Sequence, residues 1–276
     1  MSIRNILVAF NGTETSERAV KLAAHMARRY DAHLTGVYSH TLPHTYVQME
    51  AYMTADAIMA LDESNVKAEK RVAAAFEALV DAEEQGLRST FLCEHGFPND
   101  VISQFARTYD LVVVGQPDRD HEGSFYADPD PDTIALQSGR PVLIAPRGYE
   151  RLETSRGAIV AWDGKRAAAR ALSDAMDLLQ SEDLVTVLHV GDEEDVRQPG
   201  RDVMEHLSRH GMSVKLSNQP KTNLAISDVV LNTCAESDAG LLVMGAYEHS
   251  RFSELLLGGV TRDIVARTHI PVLMSH

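Results

Sequence analysis

The sequence predicts an α/β fold in which one open parallel-sheet unit occurs twice along the chain. Three observations support this fold class: 276 residues suit two domains of roughly 130 to 140 residues, the two halves repeat one pattern, and apolar runs alternate with helical patterns. The runs VVV and LLVM are unbroken, as is typical of strands buried on both faces of a parallel sheet. Each copy is therefore expected to be a βαβαβ sheet covered by helices.

The repeat opens with a strand, a turn and a helix in each half. NILVAFNG, which begins at Asn5, corresponds to AIVAWDG, which begins at Ala158, so an Asn-Gly or Asp-Gly turn follows each apolar run. The next segment of both copies has apolar residues at the i, i+3, i+4 and i+7 positions of an amphipathic helix. These residues are Ala19, Leu22, Ala23 and Met26 in the first copy and Ala168, Ala171, Leu172 and Ala175 in the second. A second apolar run follows each helix.

The later part of each copy also corresponds. Helical spacing recurs at Ile102, Phe105, Ala106 and Tyr109, and at Ile226, Val229, Val230 and Thr233. The strand pattern DLVVVG, which ends at Gly115, matches GLLVMG, which ends at Gly245. The closing pattern RPVLIAP from Arg140 matches IPVLMSH from Ile270. The two halves therefore share one fold throughout.

The first copy contains an extra segment at about residues 41–85. Asp163 follows its counterpart Asn11 by 152 positions, but Ile226 follows Ile102 by only 124. The inserted stretch has helical spacing and ends before a glycine, and the residues concerned are Ala73, Phe76, Val80 and Gly86. We expect a longer helix that covers the sheet, and a lid or an interaction surface is the alternative.

A short polar link joins the two copies. It reads GYERLETSRG and spans residues 148–157, and it contains no apolar run of strand length. Domain boundaries usually fall in exposed polar segments of this kind. We therefore place the first domain at residues 1–147 and the second at residues 155–276.

The chain is acidic, with 40 Asp and Glu against 26 Lys and Arg and a formal net charge of −14. Nucleic-acid binding is disfavoured because duplex affinity comes from Lys and Arg at phosphates. No apolar run reaches the roughly 18 to 20 residues of a membrane span, and the first apolar stretch is too short for a signal peptide. Cys93 and Cys234 lie in apolar segments, which favours buried thiols over a disulfide. We therefore expect a cytoplasmic protein.

Polar residues after the first strand of the second copy mark a candidate site. In open parallel sheets, ligands bind beyond the carboxyl ends of the strands, where the strand order reverses. Asp163 and Gly164 stand at such a strand end, directly after Trp162. The Asp163 carboxylate either accepts a hydrogen bond from a ribose hydroxyl or adenine amine, or caps the following helix. The two roles are compatible.

A glycine pair precedes the last helical pattern of the second copy. The segment consists of Gly258, Gly259, Val260 and Thr261, and the helical pattern after it of Ile264, Val265 and Thr268. Backbone N–H groups at a glycine-rich helix start can approach an anion closely, and the helix dipole favours the negative charge. The spacing is compatible with a phosphate site or with an ordinary tight turn.

The segments VAWDG, LHV, VMGAYEHSR, LLLGGVT and IPVLM, in this order, resemble a universal stress protein domain, and the whole chain resembles the tandem form of that family. The resemblance is close over the second copy and weaker over the first, apart from its opening and closing strands. It implies that each copy has a five-stranded parallel sheet, similar to adenine nucleotide alpha hydrolases and Rossmann-like. It also implies a role in stress survival, ATP binding through a G-x2-G-x9-G-[S/T] loop, and dimers through the last strands.

The nucleotide-binding positions of the family map onto the second copy. Asp163 matches the acidic residue after the first strand, and Val190 matches the position that lines the adenine. Glu248 stands where the motif has its second glycine, and Gly259 stands where it has Ser or Thr. The candidate site consists of Ala161, Trp162, Asp163, Gly164, Val190, Gly245, Glu248, Gly258, Gly259, Val260 and Thr261. The expected ligand is ATP or another adenine nucleotide, with or without Mg²⁺.

Glu248 is the larger departure from the motif. A carboxylate about 4 Å from one phosphate charge costs roughly 1 kcal/mol in water and about 4 kcal/mol at an effective dielectric of 20, which is up to about three decades of affinity. Arg251, Lys165 or a bridging divalent cation would offset this repulsion. Gly259 keeps the backbone donors and loses only one hydroxyl bond, worth about 0.5 to 1.5 kcal/mol.

The first copy departs further from the family pattern. Asn11 stands at the acidic position, and no glycine pair precedes the closing helix. The loop after Gly115 is instead rich in proline and aspartate, and it contains Pro117, Asp118, Asp120, Asp128, Pro129, Asp130, Pro131 and Asp132. This loop is expected to be a solvated acidic segment, with a hard-cation site as the alternative. We expect the first domain to bind no nucleotide and to act as a degenerate structural or regulatory partner.

Other chemistries lack their motifs. The histidines are scattered without the spacing of a zinc site, and neither a G-x-S-x-G turn nor a GxxxxGK[ST] loop is present. Nucleotide binding by the second domain of a stress-response protein is therefore the favoured function. The alternative is a ligand-free interaction module that acts through pairing of the two domains, with a homodimer or an unknown protein as its partner. Slow ATP hydrolysis ranks last.

Overall fold

A computed structural model describes residues 3–40, 54–117, 129–150, 157–191, 200–246 and 259–276. Each half of this described chain contains five strands. Those of the first half are β1 (Asn5–Ala9), β2 (His33–His40), β3 (Ser89–His95), β4 (Leu111–Gly115) and β5 (Val142–Ala145). Those of the second half are β6 (Ala158–Ala161), β7 (Val185–Val190), β8 (Val214–Gln219), β9 (Leu241–Gly245) and β10 (Val272–Ser275).

Helices connect the strands in both halves. The described helices of the first half are α1 (Glu14–Tyr30), α2 (Ala55–Glu83), α3 (Pro98–Ala106) and α4 (Pro131–Ser138). Those of the second half are α5 (Arg166–Asp174), α6 (Met176–Leu179), α7 (Arg201–Arg209), α8 (Ile226–Glu236) and α9 (Gly259–Arg267). Within the ranges given above, no helix combines the length and the apolar character that a membrane span requires. The proposed boundaries at residues 147 and 155 fall between β5 and β6 and stay a prediction.

The ten strands form one continuous sheet in the order β3-β2-β1-β4-β5-β10-β9-β6-β7-β8. The five strands of each half are parallel to one another, which confirms the predicted fold class. β5 and β10 pair in the antiparallel direction, with Leu143 directly opposite Leu273. The two domains are therefore joined through their closing strands.

The hydrophobic core is divided by sheet face and not by domain. Side chains of successive strand residues point to opposite faces. Ile6 and Val8 of β1 accordingly join the cluster with α1, α2, α5, α6 and α7, whereas Leu7 and Ala9 join the cluster with α3, α4, α8 and α9. Each cluster contains residues from both halves. The division of the chain into two repeats therefore does not divide the buried interior.

The extra segment of the first domain forms a covering helix, as predicted. In α2, Val72, Phe76 and Val80 are buried against the sheet, while Ala73 is only partly buried. Gly36 of β2 allows this close approach, because a Cβ at that position would lie 2.6 Å from the Phe76 ring. Residues 41–53 lie outside the described part of the chain.

The two cysteines differ in exposure. Cys234 is buried in α8, whereas Cys93 is only partly buried on the edge strand β3, so the expectation of two buried thiols holds for one of them. Burial raises the pKa of both thiols, that of Cys234 to about 12. Since the thiolate is the reactive species, Cys234 is protected both by its surroundings and by its protonation state.

We predict that one thiol per native chain reacts with Ellman's reagent at pH 8 and that the second reacts only after unfolding in guanidinium chloride. Cys93→Ser should remove the native reaction, and Cys234→Ser should leave it unchanged. Equal reaction rates for the two thiols in the native protein would contradict the burial of Cys234.

A buried glutamine also connects the two domains. Gln116 follows β4, and its Nε2 donates to the Val265 carbonyl oxygen at 2.7 Å and to the Thr268 carbonyl oxygen at 3.4 Å. Its Oε1 accepts from the Arg147 N–H at 2.8 Å. Carbonyls in the last turn of a helix have no intrahelical partner. A side chain of the first domain therefore completes the end of α9 in the second.

Gln116→Met should lower the free energy of unfolding by about 2 to 3 kcal/mol, because it leaves a buried carbonyl and a partly buried N–H without their partner. Urea denaturation measures this change. Gln180→Met, on the exposed end of α6, is the matched control and should stay within about 0.5 kcal/mol of the parent. A loss below 0.5 kcal/mol for Gln116→Met would show that water replaces the amide.

Candidate functional site

The strand order reverses once in each half, next to the first strand. In the second half, β6 lies between β9 and β7, so the chain proceeds from β6 to β8 in one direction and returns to β9 and β10 on the other side. In the first half, β1 lies between β4 and β2 in the same way. Such a reversal leaves a crevice beyond the carboxyl ends of the strands. The predicted site residues Asp163 and Gly245 flank this crevice in the second half.

Asp163 shapes the turn after β6 and does not cap the next helix. Its Oδ1 accepts from the Lys165 N–H at 3.0 Å, and the Lys165 Nζ lies 3.7 Å from its Oδ2. Lys165 is the N-cap of α5, and no side chain caps that helix start. The capping interpretation of Asp163 is therefore wrong. Gly164 has a φ of 78°, which allows the chain to turn directly after the carboxylate.

Asn11 makes the same local contact in the first domain. Its Oδ1 accepts from the Thr13 N–H at 3.1 Å and from the Thr13 hydroxyl at 2.6 Å. Thr13 in turn caps α1, because its Oγ1 accepts from the Ser16 N–H at 3.4 Å. The amide and the carboxylate thus build equivalent turns, and the difference between the domains at this position is the charge.

The structure places the predicted site residues Ala161, Val190 and Trp162 on different faces of the sheet. Ala161 and Val190 pack on the face that carries α8 and α9. Trp162 packs on the opposite face, with α5 and α7, and its carbonyl oxygen lies 3.0 Å from the His189 Nδ1. Side-chain alternation along β6 causes this separation. Ala161 and Val190 therefore share a face with α9, whereas the Trp162 ring does not.

Gly245 is required by packing between a strand and a helix. A Cβ at this position would lie 2.6 Å from the Ala168 backbone nitrogen, in the first turn of α5. Gly115 holds the same position in the first domain, where a Cβ would overlap the Thr15 backbone. Because both glycines lie equally close to a helix backbone, close helix packing accounts for the glycine in both domains.

The first turn of α9 carries no acidic side chain, and the described residues leave space at its start. Gly259 and Val260 are exposed, and a Cβ added at Gly259 would meet no atom within 4 Å. Thr261 is buried, at 6% exposure. The free N–H groups of a first helical turn and the positive end of the helix dipole favour an anion here.

The equivalent helix start in the first domain already carries negative charge. Asp130 is the N-cap of α4, and Asp132 lies in its first turn with only 4% exposure. The Thr133 hydroxyl donates to the Asp130 Oδ2 at 2.7 Å, and the Asn99 Oδ1 accepts from the Asp130 N–H at 2.8 Å. The composition of the loop had indicated its acidity, but not that these two carboxylates lie at a helix start.

The described residues leave a narrow cleft at the strand ends of the first domain. Its walls include Asn11, Thr13, Ser39, Gly115 and Pro129, and the cavity holds about 20 Å³. That volume accommodates about one water molecule. The absence of nucleotide binding by the first domain stays a prediction.

Two predicted site residues, Glu248 and Gly258, lie outside the described part of the chain, as do Asp118, Asp120, Asp128 and Arg251. Among the described residues, no group of three or more His, Cys, Asp or Glu side chains is arranged to hold a metal ion. The described second-domain site therefore consists of the Asp163 turn, the Ala161 and Val190 surface, and the start of α9.

The sequence of this chain is similar to that of a known protein family. The profile of the universal stress protein family matches residues 2–146 and 223–276, which is more than half of the chain. The match is continuous over the first domain and covers only residues 223–276 of the second, so it is less extensive over the second copy than the motifs had predicted. No curated protein matches significantly.

Solved structures share the fold at low sequence identity. A universal stress protein from Archaeoglobus fulgidus DSM 4304 aligns with a TM-score of 0.72 at 16% identity, over 98% of this chain and 95% of that chain. A functionally unknown protein from Pseudomonas aeruginosa PAO1 aligns with a TM-score of 0.59 at 17% identity, over 99% and 92% of the two chains. A shorter universal stress protein family protein from Arabidopsis thaliana, with AMP bound, covers 52% of this chain and 92% of its own at 16% identity and a TM-score of 0.38.

The two glycines of the candidate site should respond differently to alanine. Gly245→Ala should lower the free energy of unfolding by about 1 to 3 kcal/mol, because the added methyl group overlaps the α5 backbone. Gly259→Ala, in open space at a helix start, should be neutral or stabilising by up to about 1 kcal/mol. Thermal and urea unfolding of both variants test this. Equal effects would contradict the packing role of Gly245.

Proposed function

The chain belongs to the universal stress protein family, and on that premise we propose that its second domain binds an adenine nucleotide, with the phosphates at the start of α9. The observation that carries this proposal is the contrast between two equivalent helix starts. Asp130 and Asp132 place carboxylates at the start of α4, whereas α9 presents backbone donors without an acidic side chain in its first turn. An anion is thus favoured at one helix and disfavoured at the other.

The surrounding residues fit the other parts of a nucleotide. Ala161 and Val190 offer an apolar surface on the same face as α9, and the exposed Asp163 carboxylate lies at the strand end, where it can accept from ribose hydroxyls. The open space at Gly259, among the described residues, suits phosphate oxygens. Mg²⁺, if bound with the nucleotide, would bridge phosphate oxygens and reduce their repulsion from nearby carboxylates.

The biological role follows from binding and not from turnover. In this proposal the bound nucleotide changes which surface a protein partner meets during a stress response. Steady-state phosphate release from ATP at the background rate is the expected result of an activity assay. Release well above background, abolished together with binding, would assign an ATPase instead.

Val260→Asp should remove nucleotide binding without destabilising the protein. Residue 260 corresponds to Asp130 of the first domain, so the substitution copies the charge found there. A carboxylate next to a phosphate costs roughly 1 to 4 kcal/mol, or about fivefold to a thousandfold in affinity. An acidic residue at a helix start stabilises the helix by about 0.3 to 1 kcal/mol. Isothermal titration with ATP, ADP and AMP, each with and without Mg²⁺, measures binding, and urea unfolding measures stability.

Val260→Asn is the matched control, since asparagine has nearly the same shape as aspartate but carries no charge. Its affinity should remain close to that of the parent chain. If the parent shows no heat with any adenine nucleotide up to millimolar concentration, the nucleotide proposal fails. If Val260→Asp binds as tightly as Val260→Asn, the phosphates do not lie at the start of α9.

The alternative function, an interaction module without a small ligand, is supported by a different observation. The closing strands β5 and β10 pair within one chain, so domain pairing needs no second copy. This module would keep its stress phenotype when Val260→Asp replaces the native protein in cells. Loss of the phenotype in that variant, with retention in Val260→Asn, would favour the nucleotide-dependent role.

A further inference from the structure

A large cavity lies between the two domains, away from the strand-end site. It occupies the sheet face that carries α1 and α6, and its volume is about 510 Å³. Leu143 of β5, together with Leu241 and Pro271 at the beginnings of β9 and β10, contributes to its lining. The nucleotide site proposed above lies at the opposite ends of the second-domain strands and on the other face. The cavity is therefore a separate site, and it is large enough for a small organic molecule.

The inner surface of the cavity is apolar and comes from both domains. Leu22 and Met26 of α1 form one wall, and Leu178 of α6 lies on the opposite side. These side chains and Leu143 belong to the buried core of this face, so their positions are set by packing around them. Ligand pockets are typically concave and mostly apolar, with a few polar groups that orient the ligand.

Most polar groups at the rim are already engaged within the protein. The Tyr149 hydroxyl and the His25 Nδ1 are 2.9 Å apart, and the His25 Nε2 lies 3.4 Å from the Glu83 Oε2. Arg28 donates to the Glu84 Oε2 at 3.1 Å and to the Gln85 carbonyl oxygen at 2.6 Å. These contacts hold the Arg28 and His25 side chains in place without a ligand.

Arg29 is the least engaged charged group at the rim. Within the described residues, its hydrogen bond to the Ser181 carbonyl oxygen is long, at 3.4 Å, and its guanidinium carbon lies 5.9 Å from the Tyr30 ring centre. A guanidinium has five N–H donors in a planar fork that matches a carboxylate or sulfonate. Arg29 therefore has donors available for an anionic group at the mouth of an apolar cavity.

We propose that this interdomain cavity binds a small amphipathic organic anion, with its apolar body against Leu143, Leu178 and Met26 and its anionic group against the Arg29 guanidinium. Glu182 also lines the cavity and interacts electrostatically with Arg29, so its carboxyl competes with a ligand for this guanidinium. The surroundings of the carboxyl weaken that competition. Burial raises the pKa of the Glu182 carboxyl, and its Oε2 accepts from the Gly157 N–H at 3.2 Å. Because both domains supply the walls, the site exists only where the two copies are joined in one sheet.

The test uses 8-anilinonaphthalene-1-sulfonate, an apolar aromatic dye with one sulfonate that fluoresces when it leaves water. The full chain should bind one dye molecule saturably. Octanoate should displace it at least about tenfold more effectively than octanol, because only the carboxylate pairs with a guanidinium. Equal displacement by the two compounds would overturn the role of the anionic group.

Two variants locate the dye. Ser181→Trp fills the cavity mouth and should abolish binding, while Ser208→Trp, on exposed α7, should leave it unchanged. Arg29→Gln should weaken binding roughly tenfold, while Arg209→Gln, on the same exposed helix as the first control, should not. Circular dichroism and urea unfolding establish that each variant is folded. If Ser181→Trp binds the dye as tightly as Ser208→Trp, the site is overturned. If Ser181→Trp does not fold, Arg29→Gln decides instead, and an unchanged affinity in that variant overturns the site.

Competition with ATP and the nucleotide-site variant Val260→Asp distinguish the two proposed ligands. ATP should not displace the dye, and Val260→Asp should bind it with the affinity of the parent chain. Displacement by ATP would place the dye at the strand ends and overturn the interdomain site. Failure of nucleotide binding with retention of the dye would remove the proposed function and leave this inference intact.

Discussion

Backbone hydrogen bonds between β5 and β10 unite ten strands into one sheet, and the rest of the structure depends on them. They place Leu143 opposite Leu273 and so allow each face of the sheet to carry a core that crosses both repeats. They also bring Gln116 within reach of the end of α9. The cavity between α1 and α6 exists for the same reason. The two parallel half-sheets therefore form one sheet, and each face of it carries a hydrophobic core shared by both repeats.

Equivalent positions in the two repeats have acquired different chemistry on the same backbone. Asn11 and Asp163 form matching turns, and Gly115 and Gly245 allow matching helix contacts. The difference lies at the helix starts: among the described residues, Asp130 and Asp132 place carboxylates at the start of α4, whereas the first turn of α9 contains no acidic side chain. Side-chain charge therefore distinguishes two helix starts whose neighbouring turns and helix contacts match.

Periodicity was sufficient to predict four strands in each repeat, the amphipathic helices beside them and the long covering helix with Phe76, but it did not identify β3, β8, α6 or α7. It could not predict that the closing strands pair with each other, because an apolar run does not specify its neighbour. The same limit applies to the site. Whether Trp162 faces the ligand depends on the face that β6 presents, and the role of Gly245 depends on its distance from α5. Both are tertiary relations between residues distant in sequence.

The central position of β5 and β10 has a consequence for biosynthesis. β10 follows β5 by about 130 residues, so the ribosome needs on the order of ten seconds to supply the partner strand. During that interval the apolar edge of β5 is a template for pairing with another nascent chain. The first repeat can form its five strands, but its edge is completed only when the second is made. The timing of β10 synthesis, and not only the stability of the finished protein, thus matters for correct pairing of the β5 edge.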